Sequence, residues 1–397
     1  MVLFPVSDLA AGGQPQQPAC RGCRAQSATT QRWAVPLAGV WTAGAAGGAD
    51  GTVPATGQAY VAVGGGIAVL GGGLTLTAFA LRDGTELWQV TLTAPAGAAI
   101  MSVRAWPGVV TAGILSADGR RRTEAVIDAA AGRQLRRYSA AVFGGAVAAS
   151  PASTVIVGPT AVTSYDNGTG RARWRRTTGT DRSWRADGQT LYVAESAGGY
   201  LGSSPVTALR VINLQSGAER TLGSPLGHPF SGTLAIASGG AVLFASASGV
   251  TAYSGSTGDA LWAMAAAVPE GADPVADLVY LTSAGSTLTG VDPLTGVVKN
   301  SVSGSTSGGS AGMYVVRGGI ALGLDSGANG AAWGYNVAAG RVTWTSPALP
   351  WPHYFSDLSG LGGSADVSGD VVVVTDCPKL ATSAKVCTDP ELVAFSL

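Results

Sequence analysis

The chain is poor in charge, with only 12% of its 397 residues being Asp, Glu, Lys or Arg and a formal net charge of zero. Lysine is rare, since Lys299, Lys379 and Lys385 are the three examples, and the arginines look scattered along the chain rather than striped. A nucleic-acid binder neutralises phosphates with clustered basic side chains. The composition therefore removes nucleic acid from the expected partners.

The chain also lacks an uninterrupted apolar run of the length that a membrane helix needs. Its longest apolar stretch, 59–81, is broken by glycine triplets at 64–66 and 71–73, which weaken a helix. Short Val- and Leu-rich runs between glycines indicate strands joined by turns. Residues 1–11 lack the basic start and apolar core of a secretory signal. Any export signal or membrane anchor is therefore expected to lie outside the chain shown.

Residues that support common catalytic and metal chemistry are few. The two histidines, His228 and His353, both lie in loop-like sequence and cannot supply a three-ligand zinc site by themselves. A Gly-x-Ser-x-Gly pattern at 308–312 has no helical pattern after it, which a nucleophile elbow requires. The sequence therefore predicts no catalytic, cofactor-binding or metal-binding residue, and no cofactor.

What the chain does contain is a repeated frame, in which an aromatic residue is followed five positions later by glycine and four positions after that by tryptophan. Four copies show it in full, at 79–88, 165–174, 253–262 and 335–344. Three weaker copies keep the glycine and place Arg136, Thr221 and Asn300 at the tryptophan position.

The turn glycines of the seven copies recur about every 43 residues, within the roughly 40–45 residues of a four-stranded propeller blade; they are Gly84, Gly132, Gly170, Gly217, Gly258, Gly296 and Gly340. In each copy we expect one strand to end near the leading residue. Asp, Asn or Ser and then glycine favour a tight turn, and the next strand carries the tryptophan that seals one blade against the next. One turn also contains a glycosylation-type sequence at 167–169, although turn chemistry already explains its composition.

An eighth copy is split between the chain termini. Residues 392–397 match the strand that enters such a turn, and 31–37, which include Trp33, match the strand that leaves it. Pairing these two strands closes a ring of blades and removes the free sheet edges. The expected fold is all-β: an eight-bladed β-propeller of four-stranded blades, closed by the N- and C-terminal strands. It forms a single domain over 31–397, preceded by a loop-like extension at 1–30.

The frame A-(Y/F)-(D/N/S)-x-x-T-G-x-x-x-W resembles the repeat of pyrroloquinoline-quinone-type (PQQ-like) β-propellers, with their tryptophan docking motif, over about 33–397. The resemblance implies the fold and leaves the function open, because the family includes quinoprotein dehydrogenases, an outer-membrane assembly scaffold lipoprotein and sensor-like regions of membrane kinases. Its dehydrogenases have two adjacent cysteines against the quinone, together with calcium ligands. No two cysteines are adjacent here.

The four cysteines instead suggest structural disulfides, because an even count fits an oxidising compartment. Cys377 and Cys387 flank one predicted hairpin loop, where a disulfide would clip the closing blade. Cys20 and Cys23 form a second local disulfide or a redox or metal pair, and cross-links between the termini also remain open. We expect an extracytoplasmic location, secreted or at the cell surface.

The candidate interaction loop consists of Trp351, His353, Tyr354 and Phe355, because prolines at 350 and 352 disfavour a strand and stiffen aromatic anchors. The alternative is that Trp351 and Phe355 plug the propeller against its last blade. The expected function is a non-catalytic interaction scaffold or an extracytoplasmic sensor or binding domain, with a protein or small ligand as its unknown partner. The alternatives are a quinone- or metal-dependent enzyme with a site in the central channel, and a carbohydrate-binding propeller.

Overall fold

The structure is a computed structural model, and every regular element in the part that it describes is a β-strand. That part comprises residues 31–36, 41–42, 59–142, 144–179, 182–196, 206–223, 230, 232–273, 276–283, 287–303, 312–317, 320–324, 331–336, 341–348, 365–368, 371–376, 380–381, 386–387 and 391–396. Within these ranges there is no helix of the length and apolarity needed to cross a membrane.

The strands form eight four-stranded antiparallel sheets, here numbered in chain order. The strands of sheets 1 and 2 are β3 (Ala59–Gly64), β4 (Ile67–Gly72), β5 (Thr75–Ala80) and β6 (Glu86–Thr91), then β7 (Ala99–Trp106), β8 (Val109–Leu115), β9 (Arg122–Asp128) and β10 (Gln134–Ala140). Those of sheets 3 and 4 are β11 (Gly145–Ala149), β12 (Ser153–Val157), β13 (Ala161–Asp166) and β14 (Ala172–Thr177), then β15 (Arg182–Asp187), β16 (Thr190–Ser196), β17 (Val206–Asn213) and β18 (Glu219–Leu222).

The second half of the chain repeats this pattern. The strands of sheets 5 and 6 are β19 (Thr233–Ser238), β20 (Ala241–Ser246), β21 (Gly249–Ser254) and β22 (Ala260–Ala265), then β23 (Val268–Asp273), β24 (Leu278–Ser283), β25 (Thr287–Val291) and β26 (Val298–Ser303). Those of sheets 7 and 8 are β27 (Gly312–Arg317), β28 (Ile320–Leu324), β29 (Ala331–Asn336) and β30 (Arg341–Ala348), then β31 (Ala365–Ser368), β32 (Val371–Asp376), β35 (Glu391–Ser396) and β1 (Gln31–Pro36). A small extra sheet joins β2 (Trp41–Thr42), β34 (Val386–Cys387) and β33 (Leu380–Ala381).

The first strand of each sheet lies at the centre and the fourth at the periphery. Most first strands contact the first strand of a neighbouring sheet, as in the pairs β3 with β7, β15 with β19 and β23 with β27, and β31 contacts β3. The apolar core lies between neighbouring sheets. One buried cluster, for example, joins Val69 and Leu76 of sheet 1 to Ile100, Val110 and Ile127 of sheet 2.

The predicted closure by the chain termini is confirmed. Strand β1 lies antiparallel to β35, with Trp33 opposite Ala394 and Val35 opposite Leu392, and β35 pairs on its other side with β32. The all-β, propeller-like architecture is therefore confirmed, and the described residues form eight four-stranded sheets.

The turn chemistry predicted from the repeats is also confirmed in the six turns that the structure describes. In each, the glycine amide donates to the carbonyl four residues earlier, as Gly132 does to Asp128 at 2.9 Å. The Asp128 carboxylate accepts hydrogen bonds from the amides of Ala130 and Ala131 at 2.9 and 3.0 Å. The turn glycines adopt positive φ values, such as 66° at Gly132, where a side chain is strained.

Candidate functional site

At six seams between neighbouring sheets, the described residues show one side chain of an outer strand in contact with the turn of the next sheet. Trp88 of β6 is 8% exposed and covers the turn of sheet 2, where a Cβ added at Gly132 would lie 2.7 Å from indole Cδ2. Its Nε1 donates to the carbonyl of Ala129 at 2.8 Å. Trp33 and Trp262 make the same two contacts with the turns of sheets 1 and 6. The predicted sealing role of tryptophan is confirmed at these seams.

Trp174 makes a weaker version of this contact. It covers Gly217 of sheet 4, where an added Cβ would lie 2.6 Å from indole Cδ2. However, the side chain is only half-buried, and its Nε1 has no hydrogen-bond partner in the part of the chain that is described.

A β-bulge precedes the tryptophan position in every outer strand except β18. In sheet 1, Trp88 lies opposite Ala78 and Glu86 opposite Phe79, so that Leu87 is the extra residue. The corresponding pairs in β17 and β18 have no such extra residue.

Without the bulge, the register of β18 differs by one residue from that of its counterparts. Arg220 lies opposite Val211, and Thr221 lies opposite Arg210. Arg220 therefore occupies the tryptophan position, and the assignment of Thr221 to it was wrong. Counting along the sequence cannot detect this, because the glycine spacing is the same with or without a bulge.

Arginine replaces tryptophan at two seams. The Arg220 guanidinium donates to the carbonyls of Gly255 and Ser256 at 2.9 and 2.6 Å. The Gly255 carbonyl has the same place in its turn as the carbonyls that accept the indole N–H elsewhere. At the seam between sheets 2 and 3, Arg136 donates to the carbonyl of Gly168. A planar guanidinium can thus replace the indole as the donor to the next turn.

Buried aromatic rings accompany both arginines. Tyr138 stacks on Tyr165 with 4.2 Å between ring centroids, and burial raises the pKa of Tyr138. At the other seam, Phe230 meets Tyr253 edge to face at 4.9 Å. These contacts supply apolar burial where the indole is absent.

The asparagine of the glycosylation-type sequence takes part in the first of these seams. Asn167 is buried, accepts from the Tyr138 hydroxyl at 3.2 Å and donates from Nδ2 to the Ser150 carbonyl at 2.9 Å. Its amide nitrogen is therefore a structural hydrogen-bond donor, as the turn interpretation of this sequence implies.

The outer strand of sheet 3 and the residue just before it carry the densest run of arginine in the chain. Four of the six residues 171–176 are arginine. Trp174 and Arg176 face sheet 4, since Trp174 covers Gly217 and Arg176 Nε donates to the Gly217 carbonyl at 2.6 Å. Because side chains alternate along a strand, Arg175 projects from the opposite face. The description of the arginines as scattered therefore does not hold for this segment.

The nearby carboxylates of sheet 4 are already engaged. Arg210 binds Glu195 at 3.1 Å and Glu219 at 2.9 Å, and Glu219 lies 3.6 Å from Arg176. The Gly179 amide also donates to Glu195.

Two arginine side chains of this strand, Arg173 and Arg175, and that of Arg171 in the turn just before it are exposed and make no hydrogen bond or ion pair within the described residues; we call these three the arginine edge. The carboxyl group of Asp166 interacts electrostatically with one of these arginines, Arg173. Hydrogen bonds from Thr169, followed by the charge of Arg173, lower the pKa of that carboxyl. The arginine edge is thus an exposed cationic surface that internal pairs do not neutralise.

The centre of the molecule also contains arginines, but these are engaged. Arg104 of β7 donates to the carbonyl of Ala146 at 2.6 Å and lies over the ring of Trp184, 5.8 Å from its centroid. Arg185 of β15 donates to the carbonyl of Ala235, and burial lowers the pKa of Arg185. These guanidinium groups link first strands of different sheets.

One acidic residue stands out near the centre. Glu270 is the extra residue of a bulge in β23, accepts from the Thr282 hydroxyl at 2.6 Å, and has its pKa raised by burial. In the described ranges, His, Cys, Asp and Glu form no group of three or more that is arranged to hold a metal ion.

The residues singled out from the sequence are mostly outside the described part of the chain. Trp351, His353, Tyr354 and Phe355 lie there, as do Cys20, Cys23 and Cys377. Cys387 lies on β34, where its backbone pairs with Trp41 and Leu380. The interaction loop and the disulfides therefore stay predictions.

A family model described as outer membrane protein assembly factor BamB matches residues 162–390, which is more than half of the chain. The chain belongs to the BamB family. The matched range of this BamB-family chain begins on β13 and includes the arginine edge.

Two solved structures with TM-scores above 0.5 show the same fold at low sequence identity. The computationally designed Ika8 protein has a TM-score of 0.56 at 13% identity, covering 86% of this chain and 97% of that one. A quinohemoprotein alcohol dehydrogenase from Pseudomonas putida HK5 has a TM-score of 0.54 at 14% identity, covering 93% of this chain and 76% of that one. BamB from Moraxella catarrhalis has a TM-score of 0.46 at 17% identity, covering 81% of this chain and 98% of that one. No curated protein sequence gives a significant match.

Sequence reasoning missed the arginine edge although a signal was present. The run R-A-R-W-R-R follows directly after the turn glycine Gly170. A sequence places these side chains on an outer strand once the turn is recognised, but it does not show which of them find partners.

Proposed function

We propose that this BamB-family chain is a non-catalytic interaction scaffold that works outside the cytoplasm and binds a protein partner. Family membership supports a scaffold, and the observation that carries the proposal is the arginine edge. Arg173 and Arg175 on a strand of a four-stranded sheet, and Arg171 in the turn just before it, are exposed without internal ion pairs. Charged groups displayed on a rigid element steer a partner and lose little backbone entropy on binding.

Site-specific photo-crosslinking in the native cell tests the scaffold proposal. A photoreactive residue at position 175 should give a discrete protein adduct. The matched control is position 263, because Ala263 is exposed and follows Trp262 as Arg175 follows Trp174. Equal labelling at both positions, or none at either, would count against a partner at this surface.

A thermal-shift screen tests the enzyme and carbohydrate alternatives. A ligand that binds only the native state raises the melting temperature. Under our proposal, pyrroloquinoline quinone with calcium, and a panel of sugars, leave melting unchanged. A reproducible rise with the quinone would contradict the scaffold and favour a channel-centred enzyme. A rise with one sugar would favour the carbohydrate-binding alternative.

A further inference from the structure

We propose that the arginine edge binds an acidic protein segment through salt bridges between guanidinium groups and carboxylates. This inference rests on the proposed scaffold function and adds the chemistry of the partner. Arginine suits this role because its planar guanidinium holds a carboxylate with two parallel hydrogen bonds.

The arginine edge is held in place by its own strand. Trp174 and Arg176 fix the strand against sheet 4 through contacts with Gly217. On the other side, β14 pairs with β13, where Arg175 lies opposite Thr163. Arg173 and Arg175 therefore extend from a fixed strand, and Arg171 extends from the turn before it, where its carbonyl accepts from the Asp166 amide at 2.9 Å. A fixed backbone lowers the entropy lost when a partner binds.

The other outer strands differ in that their basic side chains already have partners. Arg32 of β1 donates to the Ser396 hydroxyl, and Lys299 of β26 lies 4.0 Å from Asp292. Arg136 and Arg137 of β10 donate to backbone carbonyls, as does Arg220 of β18. Among the basic side chains of the outer strands that the structure describes, Arg173 and Arg175 are the ones without such a partner, and Arg171 is exposed in the turn just before them.

Recognition at the arginine edge depends on side chains and not on an added strand. Ser164 lies opposite Trp174 and Tyr165 opposite Ala172, so Arg173 is the extra residue of a bulge in β14. Bulges and charged side chains are devices that prevent edge-to-edge strand pairing. An acidic segment can meet the guanidinium groups without regular backbone pairing.

The distribution of charge favours a short acidic segment over a membrane or a nucleic acid. Residues 118–222 contain fourteen arginines and eight acidic residues, whereas the rest of the chain contains ten basic and sixteen acidic residues. The arginine edge itself extends over about 13 Å. An extended polyanion needs a longer basic surface, and the acidic remainder of this chain repels it.

Fluorescence anisotropy with purified full-length protein tests the inference. The probe is a fluorescein-labelled peptide of alternating Glu and Ser, and its control is the matching Lys and Ser peptide. We expect binding of the Glu peptide alone, weakening as salt rises from about 50 mM to about 200 mM. The triple substitution R171S/R173S/R175S should weaken binding by about tenfold or more, as expected from the loss of three surface ion pairs.

The matched control variant is R82S/R120S/R121S, which removes three exposed arginines elsewhere and changes the net charge equally. It should bind the Glu peptide as the unchanged protein does. Charge reversal, R171E/R173E/R175E, should transfer binding to the Lys peptide, with melting temperature confirming that each variant is folded. Binding of the Lys peptide by the charge-reversed variant would show that these side chains recognise an opposite charge. Charges that only prevent edge-to-edge strand pairing would not give this result.

Three results would overturn the inference: no binding of the Glu peptide, equal weakening by both triple variants, or binding to phosphatidylglycerol vesicles but not to the peptide. None of these three results contradicts an adduct obtained by crosslinking at position 175, because the crosslinking tests the scaffold and the peptide assay tests the chemistry of its partner. A failed peptide assay with a specific adduct would leave the scaffold standing with a partner of different chemistry.

Discussion

The seam between sheets 1 and 2 and the seam between sheets 4 and 5 solve the same packing problem with different residues. At the first, the buried indole of Trp88 covers Gly132 and donates to the Ala129 carbonyl. At the second, the exposed Arg220 donates to two carbonyls of the next turn. What the seams share is a donor to the next turn, and what differs is how much surface is buried.

The difference shows that either residue type can close a seam between two sheets. Tryptophan combines the hydrogen bond to the next turn with the burial of a large ring. Arginine keeps the bond, adds charge, and leaves the burial to neighbouring rings such as Phe230 and Tyr253. Sheets 2 to 4, where arginines are concentrated, thereby combine sealing with a cationic outer surface.

The largest effect is expected from breaking the ring on which both kinds of seam depend. Deleting 392–397 removes β35 from between β32 and β1, and with it the support of Trp33. Exposed strand edges should cause loss of cooperative unfolding or of solubility, measured by calorimetry and gel filtration. Deleting 1–30 is the control and should leave melting unchanged. Normal melting of the C-terminal truncation would refute closure by the termini.

Removing the indole should rank the tryptophan seams by burial. Trp88→Ala should cost about 3–5 kcal/mol of unfolding free energy, because a large buried ring is lost. Trp174→Ala should cost less, since that ring is half-buried and its Nε1 has no partner in the described part of the chain. Chemical denaturation measures both, and an equal or larger cost at Trp174 would contradict the ranking.

Alanine substitution of a turn glycine should cost more stability where the glycine contacts an indole ring than where it contacts a guanidinium group. Gly170→Ala places a side chain at a positive φ of 75°, which costs roughly 1–2 kcal/mol. The new Cβ lies 3.3 Å from Arg136 Nε, and that flexible side chain can move. Gly132→Ala carries the same backbone strain and also pushes a Cβ to 2.7 Å from the Trp88 ring. Thermal melting should therefore fall further for Gly132→Ala; a larger fall at Gly170 would argue against arginine as the more adaptable seal.

The smallest effects should locate the seam residue of sheet 4. Arg220→Ala loses two carbonyl hydrogen bonds and should cost about 1–2 kcal/mol. Thr221→Ala should stay within about 0.5 kcal/mol, as surface substitutions usually do. Arg220→Lys is the intermediate control, because a lysine cannot make both bonds in one plane. If urea denaturation shows a larger loss of stability for Thr221→Ala than for Arg220→Ala, Thr221 and not Arg220 occupies the tryptophan position.

The repeat frame predicted the sheets because turn chemistry is local. Asp128 and Gly132 lie four residues apart, and the hydrogen bonds that they make stay within one turn. The same reasoning predicted the closure of the ring, since 392–397 match the strand that enters a repeat turn and 31–37 match the strand that leaves it. The site was harder to predict. The interaction loop at Trp351 is untested, and the arginine edge was overlooked.

The sequence by itself determined the repeated turns and the all-β class, because these depend on residues close together in the chain. It also indicated the pairing of the termini, because the two ends carry the two halves of one repeat frame. Only the tertiary structure decided which charges remain available. Glu195 and Glu219 bind Arg210, and Glu219 also approaches Arg176 from the next sheet. The register of β18, and with it the role of Arg220, was likewise decided by the absence of a bulge. Neutralisation depends on distances between side chains that are remote in the chain, and spacing along a sequence does not contain those distances.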